Sequence, residues 1–280
     1  MGIINLYAPW LDSAYKMCDI DDNINVEIFV DQMPTTKISE GWIRIIKILE
    51  PFDDLKNKML RYLRDCPDKY SFILTYHQDI LDEFPNSMLF VTPTTWIPYG
   101  YEFNEKIFGV SSLVGNKHAS PFSPKLDGYL TRYEVHKLNN NIKIPTRFYL
   151  SSHSLIDGVN YKKSLILKES KNPLFDTQFH IAIENTNKIK NAFSEKIIDC
   201  FQTKTVPVYY GPSNIGDFFN MSGIIYCEST QDIINKCNLL TRDVYHSMKD
   251  AIEDNYNRSM EYSSFNKSII DQSKKIIKQI

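Results

Sequence analysis

Three short segments in the second half of the chain carry side chains that could bind a phosphorylated ligand. The first is an apolar run that ends in Glu184 and Asn185. The second begins a predicted helix with Glu195 and Lys196, and the third, residues 205–215, is an apolar run that ends in a Pro/Gly loop. Each of the two dipeptides alone is most often a turn or a solvated first helical turn. The order of all three along the chain favours a ligand site.

The chemistry of this arrangement suits a sugar joined to a diphosphate. A helix that begins beside the carboxyl ends of parallel strands offers free N–H groups and the positive end of its dipole to an anion. Lys196 adds a point charge suited to phosphate, whereas the carboxylate of Glu195 suits hydrogen bonds from neutral sugar or ribose hydroxyls. The segment therefore predicts a nucleotide-sugar site.

Alternating strands and helices must position these side chains. Apolar runs predict strands at residues 3–8, 26–30, 43–49, 71–75, 88–91, 107–111, 147–151, 179–183, 205–210 and 223–227. Amphipathic spacing predicts helices at residues 53–64, 129–138, 194–202 and from 231 onward. A Pro-, Gly- and Tyr-rich stretch between residues 96 and 108 separates the halves. The pattern predicts an α/β protein with two Rossmann-like domains that meet near residue 104.

The composition excludes several other classes of protein. The 280 residues are 42% hydrophobic and 24% charged, and the net charge of -2 provides no electrostatic footprint for nucleic acid. The five cysteines are scattered without a CxxC pair, so we expect thiols in a reducing, cytoplasmic compartment rather than disulfides or a zinc site. No stretch approaches the roughly 18 to 20 apolar residues of a membrane helix. The isoleucines near the C-terminus, at helical spacing among lysines, fit a helix that docks on the protein itself or touches a membrane surface.

The three segments resemble the C-terminal signature of the α-1,3-fucosyltransferase family, glycosyltransferase family 10. That signature reads roughly F-x-x-x-F-E-N-(S/T), then Y-x-T-E-K, then (V/I)-P-(V/I)-(Y/W)-x-G, and the resemblance is strong over residues 179–228. It implies a GT-B glycosyltransferase. Residues 1–103 would then form an acceptor-binding domain and residues 104–264 a donor-binding domain, and residues 265–280 would be a helix that returns to the N-terminal domain.

The resemblance also implies roles for individual residues. Asn185, Glu195 and Lys196 would contact the donor nucleotide, with Lys196 on phosphate and Glu195 on ribose. It places Arg132, in Leu-Thr-Arg-Tyr-Glu-Val, on the diphosphate, although an arginine on a helix is otherwise most often a surface ion pair.

Glu50, after the predicted strand 43–49, resembles the general base of the family. Such a carboxylate would accept the proton of the acceptor hydroxyl while the sugar is attacked from the face opposite the leaving nucleotide, which is inverting, single-displacement chemistry. The alternative is an exposed glutamate after an edge strand.

His77, Trp96 and Tyr99 are candidates to line an oligosaccharide or glycoprotein acceptor site, because sugar rings stack on aromatic planes. The alternative for each is packing within the fold.

Departures from the family pattern bear on the donor. Ala192 stands where the family has Tyr, Ser194 replaces Thr, and the spacing between Asn185 and Glu195 is one residue longer. The short chain without an anchor, rich in Asn, Lys and Ile, resembles glycosyltransferases of large algal DNA viruses, one activity of which is xylosyl transfer onto a fucose-containing capsid N-glycan. We therefore expect UDP-xylose as donor, in the host cytosol if the protein is viral. GDP-fucose-dependent fucosyl transfer and a non-catalytic glycan-binding protein are the alternatives.

We expect no metal or cofactor to be required. Asp19-Ile-Asp21 matches the Asp-x-Asp pattern that binds Mn²⁺ in another glycosyltransferase architecture, but such a pattern recurs by chance in a chain with 34 acidic residues. A helix dipole, Arg132 and Lys196 would neutralise the leaving diphosphate instead.

Overall fold

The structure is a computed structural model that describes residues 3–9, 11, 13–18, 24–49, 53–91, 94–98, 101, 105–115, 127–151, 164–167 and 170–262. The chain forms two compact units, whose described residues lie within Met1–Thr92 and Pro93–Phe265. The sequence analysis divided the chain later, after residue 103. The helix expected over residues 265–280 lies outside the described residues.

The first unit is a six-stranded sheet with two helices. Its elements are β1 Ile3–Tyr7, β2 Tyr15–Cys18, β3 Asn25–Val30, β4 Trp42–Ile48, α1 Asp53–Asp65, β5 Phe72–Thr75, α2 Gln78–Glu83 and β6 Ser87–Leu89. The strand order is β2-β1-β3-β4-β5-β6, and β2 alone is antiparallel to its neighbour. Because neither β2 nor the six-residue α2 carries a long apolar pattern, the sequence did not predict them.

The centre of this sheet contains two buried cationic side chains on β4. Arg44 is 2% exposed, and its guanidinium donates to the Glu27 carboxylate at 2.8 and 2.9 Å. Lys47 is fully buried with its Nζ 3.6 Å from the centre of the Phe90 ring, and burial lowers the pKa of its ammonium well below the usual value. These contacts explain how a strand with two basic residues packs between apolar neighbours.

The second unit is a six-stranded, fully parallel sheet. Its elements are β7 Ile107–Val114, α3 Asp127–Lys137, β8 Thr146–Ser151, β9 Ser164–Leu167, β10 Thr177–Ile183, α4 Glu195–Gln202, β11 Val206–Tyr210, β12 Ile225–Tyr226, α5 Thr230–Cys237, α6 Arg242–Ser247 and α7 Lys249–Ser259. The strand order is β12-β11-β10-β7-β8-β9. Counted from β7, this is the doubly wound order 3-2-1-4-5-6, in which the direction of winding reverses between β7 and β10.

Five strands of this sheet confirm apolar runs of the sequence, whereas β9 was not predicted. Every residue of β10 and β11 is buried, as expected of parallel strands covered on both faces. β7 continues to Val114, three residues beyond the strand predicted at residues 107–111. The serines of β7 make this stretch look loop-like, but Ser111 is buried and bonded within the sheet. None of the described helices is long and apolar enough to cross a bilayer.

Candidate functional site

A cavity of about 320 Å³ opens at the carboxyl edge of the second sheet. Its walls include Leu113 near the end of β7, Gly115 after β7, Asn185 after β10, and the first turn of α4. In doubly wound sheets this edge, beside the reversal of strand order, is where ligands bind. The volume falls in the range of small-molecule sites.

The beginning of α4 is capped from within the protein. Ser194 is the N-cap residue, and its N–H and hydroxyl donate to the two carboxylate oxygens of Glu184 at 3.0 and 2.6 Å. The Lys196 N–H in turn donates to the Ser194 hydroxyl at 3.4 Å. The carboxylate of Glu184 therefore occupies the place at the helix terminus where the sequence analysis expected a phosphate. A ligand anion must rely chiefly on side-chain cations.

This cap also explains two features of the sequence. Ser194 keeps the hydroxyl that Thr would supply in the family pattern, so the departure preserves the cap. Glu184 is 2% exposed, and burial raises the pKa of its carboxyl although Lys196 opposes that rise. Glu184 thus holds the helix in place and is a positioning residue.

Arg132, from α3, and Asn185, from the end of β10, are in direct contact. The Arg132 guanidinium donates from Nε to the Ile183 carbonyl at 2.9 Å and from Nη2 to Asn185 Oδ1 at 2.7 Å. It also lies 4.7 Å from the centre of the Tyr129 ring. Burial lowers the pKa of the Arg132 guanidinium from its usual value. The side chain is therefore fixed beside the cavity before any ligand binds.

Gly128, in the first turn of α3, sets how closely that helix approaches β10. Its N–H donates to the Asn185 carbonyl at 3.0 Å. A Cβ at this position would stand 1.8 Å from the carbonyl oxygen of Glu184 and 2.8 Å from the carbonyl carbon of Asn185. Only a glycine permits this close approach. Because Arg132 lies one turn further along α3, the approach also brings its guanidinium within reach of Asn185.

Glu195 and Lys196 lie together on the opposite wall. Lys196 Nζ is 3.1 Å from Glu195 Oε1 and 3.0 Å from the Ser194 hydroxyl. Lys171 Nζ approaches Glu195 from another direction at 3.8 Å. Burial opposes ionisation of Glu195, but the two ammonium groups outweigh it and lower the pKa of its carboxyl to about 2. Glu195 is therefore an ionised acceptor at neutral pH.

Sequence reasoning missed Lys171 and Asp199, which extend the charged cluster. Asp199 is 1% exposed, and its Oδ1 accepts hydrogen bonds from the Thr95 hydroxyl at 2.9 Å and the Trp96 N–H at 2.8 Å. Its Oδ2 lies 3.4 Å from Lys171 Nζ. The one available signal was the spacing of Glu195 and Asp199 at i and i+4, which places both on one helix face.

Trp96 lies beside this cluster rather than within the fold. Its side chain is 65% exposed, its backbone is held by Asp199, and Lys171 Nζ lies 5.1 Å from the ring centre. His77 belongs to the first unit, where it begins α2, is 3% exposed and lies 4.5 Å from the Tyr76 ring. The structure therefore brings Trp96 into contact with residues of this cavity.

The remaining sequence-predicted residues lie outside the described part of the chain. These are the proposed base Glu50, the aromatic Tyr99, and the Asp19 and Asp21 of the possible metal motif. Among the residues that the structure describes, no group of three His, Cys, Asp or Glu side chains comes together to hold a metal ion.

Comparison with known proteins supports the architecture at the level of the fold. No family model matches the chain, and no curated protein matches its sequence significantly. An α1,3-fucosyltransferase solved with GDP is 14% identical, with 95% of this chain and 88% of that chain covered and a TM-score of 0.53. The same kind of enzyme solved with GDP-fucose is 14% identical, with 88% and 75% covered and a TM-score of 0.50.

TarM gives a TM-score of 0.53 at 12% identity, with 89% of this chain and 54% of TarM covered, so the chain spans about half the length of that protein. Identities this low establish a fold and not an activity. The fold is that of GT-B glycosyltransferases, as the sequence predicted.

Proposed function

We propose that the chain is a nucleotide-sugar-dependent glycosyltransferase whose donor diphosphate binds in the cavity of the second unit. The observation that carries this proposal is the meeting of Arg132 and Asn185 with Glu195 and Lys196 around one cavity at the reversal point of a parallel sheet. In open α/β sheets of this kind, ligands bind in a crevice beyond the carboxyl ends of the strands, which is where this cavity lies.

The charge of each side chain determines which part of the donor it binds. Lys196 and Arg132 are the cations for phosphate oxygens, and the Lys196 ammonium can turn from Glu195 to a phosphate because its three donors rotate freely. Glu195, ionised at neutral pH, accepts hydrogen bonds from ribose hydroxyls. Binding of the diphosphate would thus replace contacts that the cluster already makes with itself.

At a finer level we propose xylose from UDP-xylose as the transferred group and a fucose of a protein N-glycan as the acceptor. Transfer would invert the sugar by single displacement with Glu50 as base, and no metal would be required. The sequence resemblance carries these assignments. GDP-fucose is the second candidate donor, because an α1,3-fucosyltransferase solved with GDP-fucose shares the fold.

Glycan binding without catalysis is the alternative from another class. It is favoured by one observation, the 65% exposed Trp96, whose backbone N–H is bonded to Asp199 of the cavity wall. A glycan-binding protein would retain such a platform without binding a nucleotide, so nucleotide binding separates the two classes.

Titration of the protein with UDP and GDP by calorimetry tests the proposal. We expect one diphosphate to bind with and without EDTA, and Lys196→Ala to weaken it about 10- to 100-fold, the effect of losing one charge-assisted contact. Lys236→Ala is the matched control, since Lys236 is also a helical lysine, paired with Asp232 at 2.9 Å, but does not line the cavity. Incubation with UDP-xylose and GDP-fucose, followed by NMR, then identifies the donor that is slowly hydrolysed.

Absence of binding by both diphosphates would refute the proposal and favour the glycan-binding alternative. Equal losses in Lys196→Ala and Lys236→Ala would remove the phosphate role of Lys196. A strict requirement for Mn²⁺ would contradict metal-independent transfer and would favour Asp19 and Asp21 as metal ligands.

A further inference from the structure

One buried histidine of the cavity has no role in the donor contacts described above. His180, on β10, lines the cavity and is 6% exposed, with its ring centre 5.1 Å from that of Phe175. Its side chain lies on the same face of the strand as Ala182 and Glu184, since alternate residues of a strand share a face. The ring therefore lies in the floor of the cavity. His180 precedes Glu184 by four residues along the chain.

The hydrogen bonds around His180 fix which nitrogen carries the proton. Ser111 Oγ lies 2.7 Å from Nδ1 of the ring and makes a short contact with the Leu174 carbonyl oxygen. A carbonyl can only accept, so the single hydroxyl proton of Ser111 is given to Leu174. The Ser111 oxygen must then accept from His180, and Nδ1 carries the N–H.

The other ring nitrogen is left as an acceptor. Burial, assisted by the nearby Lys171 ammonium, lowers the pKa of His180 to about 3, so the ring is neutral at physiological pH. A neutral imidazole with its proton on Nδ1 has a lone pair on Nε2. No described residue donates to that nitrogen, although the side chain is nine-tenths buried.

We propose that His180 Nε2 is a specificity-determining acceptor in the floor of the donor cavity, and that it receives an N–H or O–H of the bound nucleotide sugar. This inference rests on the proposed function, since it assigns one contact of the same ligand. Nε2 is not among the buried side-chain atoms without a partner, so this acceptor is accessible from the cavity and a ligand donor group can reach it. Ser111 is the positioning residue, because its acceptor oxygen holds the tautomer.

Two substitutions separate the roles of the two ring nitrogens. In His180→Asn the amide nitrogen replaces Nδ1 and can still donate to Ser111, but nothing replaces Nε2. In His180→Gln the longer amide places a polar group near the position of Nε2. We expect the affinity for the nucleotide sugar, measured by calorimetry, to fall about tenfold in His180→Asn and to be largely retained in His180→Gln.

The choice of ligand shows which part of the nucleotide sugar reaches His180. If the donor group is a base N–H or a ribose O–H, His180→Asn weakens the free nucleoside diphosphate as well as the nucleotide sugar. If it is a hydroxyl of the transferred sugar, only the nucleotide sugar is weakened. Unchanged affinity for both, or equal losses in the two variants with intact circular dichroism, would overturn the inference.

Wild-type protein provides a measurement that does not depend on a folded variant. In spectra of ¹⁵N-histidine-labelled protein we expect one ring with its proton on Nδ1 throughout pH 5 to 8, and its Nε2 resonance should shift on addition of the nucleotide sugar. Ser111→Ala assigns the signal by perturbing it. A wild-type protein that binds nucleotide while every Nε2 signal stays fixed refutes the role of His180 alone, whereas a protein that binds no nucleotide refutes the proposed function.

Discussion

Replacement of Asp199 by Asn should change how stability depends on pH. Asp199 is buried in α4 and bonded to Thr95, Trp96 and Lys171. An Asn side chain keeps the Oδ1 atom that accepts from Thr95 and Trp96, and it replaces Oδ2, which faces Lys171 Nζ, with an uncharged NH2 group. The variant thus removes the titration of this group together with its contact to Lys171.

The magnitude follows from the pKa of the carboxyl. Burial, only partly opposed by Lys171, raises the pKa of Asp199 from 3.8 to about 6. A carboxyl with a raised pKa binds its proton more tightly in the folded than in the unfolded state, so its contribution to stability falls as pH rises from 3.8 to 6. At about 1.4 kcal/mol per pKa unit, the wild type loses on the order of 3 kcal/mol over this window and Asp199→Asn does not.

Urea unfolding of both proteins at intervals from pH 3.5 to 7.5 provides the measurement. We expect the unfolding free energy of Asp199→Asn to gain about 3 kcal/mol relative to wild type across the window. Asp232→Asn is the matched control, because Asp232 also pairs with a lysine but its side chain is 29% exposed, against 1% for Asp199. A difference between wild type and Asp199→Asn that stays constant with pH would show that Lys171 fully compensates the buried charge, and the reasoning would be wrong.

Two further substitutions test the positions of the site residues. Gly128→Ala should destabilise the fold by about 1 to 3 kcal/mol in thermal unfolding and weaken diphosphate binding, because its Cβ would overlap the Glu184 carbonyl at 1.8 Å; wild-type affinity would mean that α3 need not approach β10 so closely. Glu50→Gln should abolish sugar transfer and leave the Kd for the nucleoside diphosphate unchanged, because an amide of the same size cannot accept the acceptor proton; retained transfer would exclude Glu50 as the base.

The sequence predicted the parts of the fold that follow from local pattern. The apolar run ending at Ile183 is a strand buried on both faces, which is the pattern of a central parallel strand. Asn185 is the second residue after that strand, so its place at the ligand edge follows from chain order alone. The family resemblance assigned Arg132 and Asn185 to one ligand, but their contact was not predicted, since no local rule joins residues 53 positions apart.

The parts that the sequence did not predict depend on contacts between distant residues. Lys171 precedes a Pro-containing turn with no regular pattern, and only the packing of that turn against β7 and β10 brings the Lys171 ammonium to Glu195. The same turn supplies the Leu174 carbonyl that fixes the proton of Ser111. Hydrogen bonds of this kind have no periodicity along the chain, so pattern analysis cannot find them.

The cap of α4 gives Glu184 a role other than ligand binding. The glutamate before Asn185 reads as part of a ligand motif, yet in the structure both of its carboxylate oxygens are bonded to Ser194. Because that bond fixes the first turn of α4, it also fixes the direction in which Lys196 and Glu195 leave the helix. The residues of this segment therefore have two different roles: Glu184 orients α4, and Lys196 and Glu195 are placed to contact the ligand. Replacement of Glu184 would act on the donor only through those neighbours, which is why Lys196 and not Glu184 is the residue whose loss tests the phosphate site.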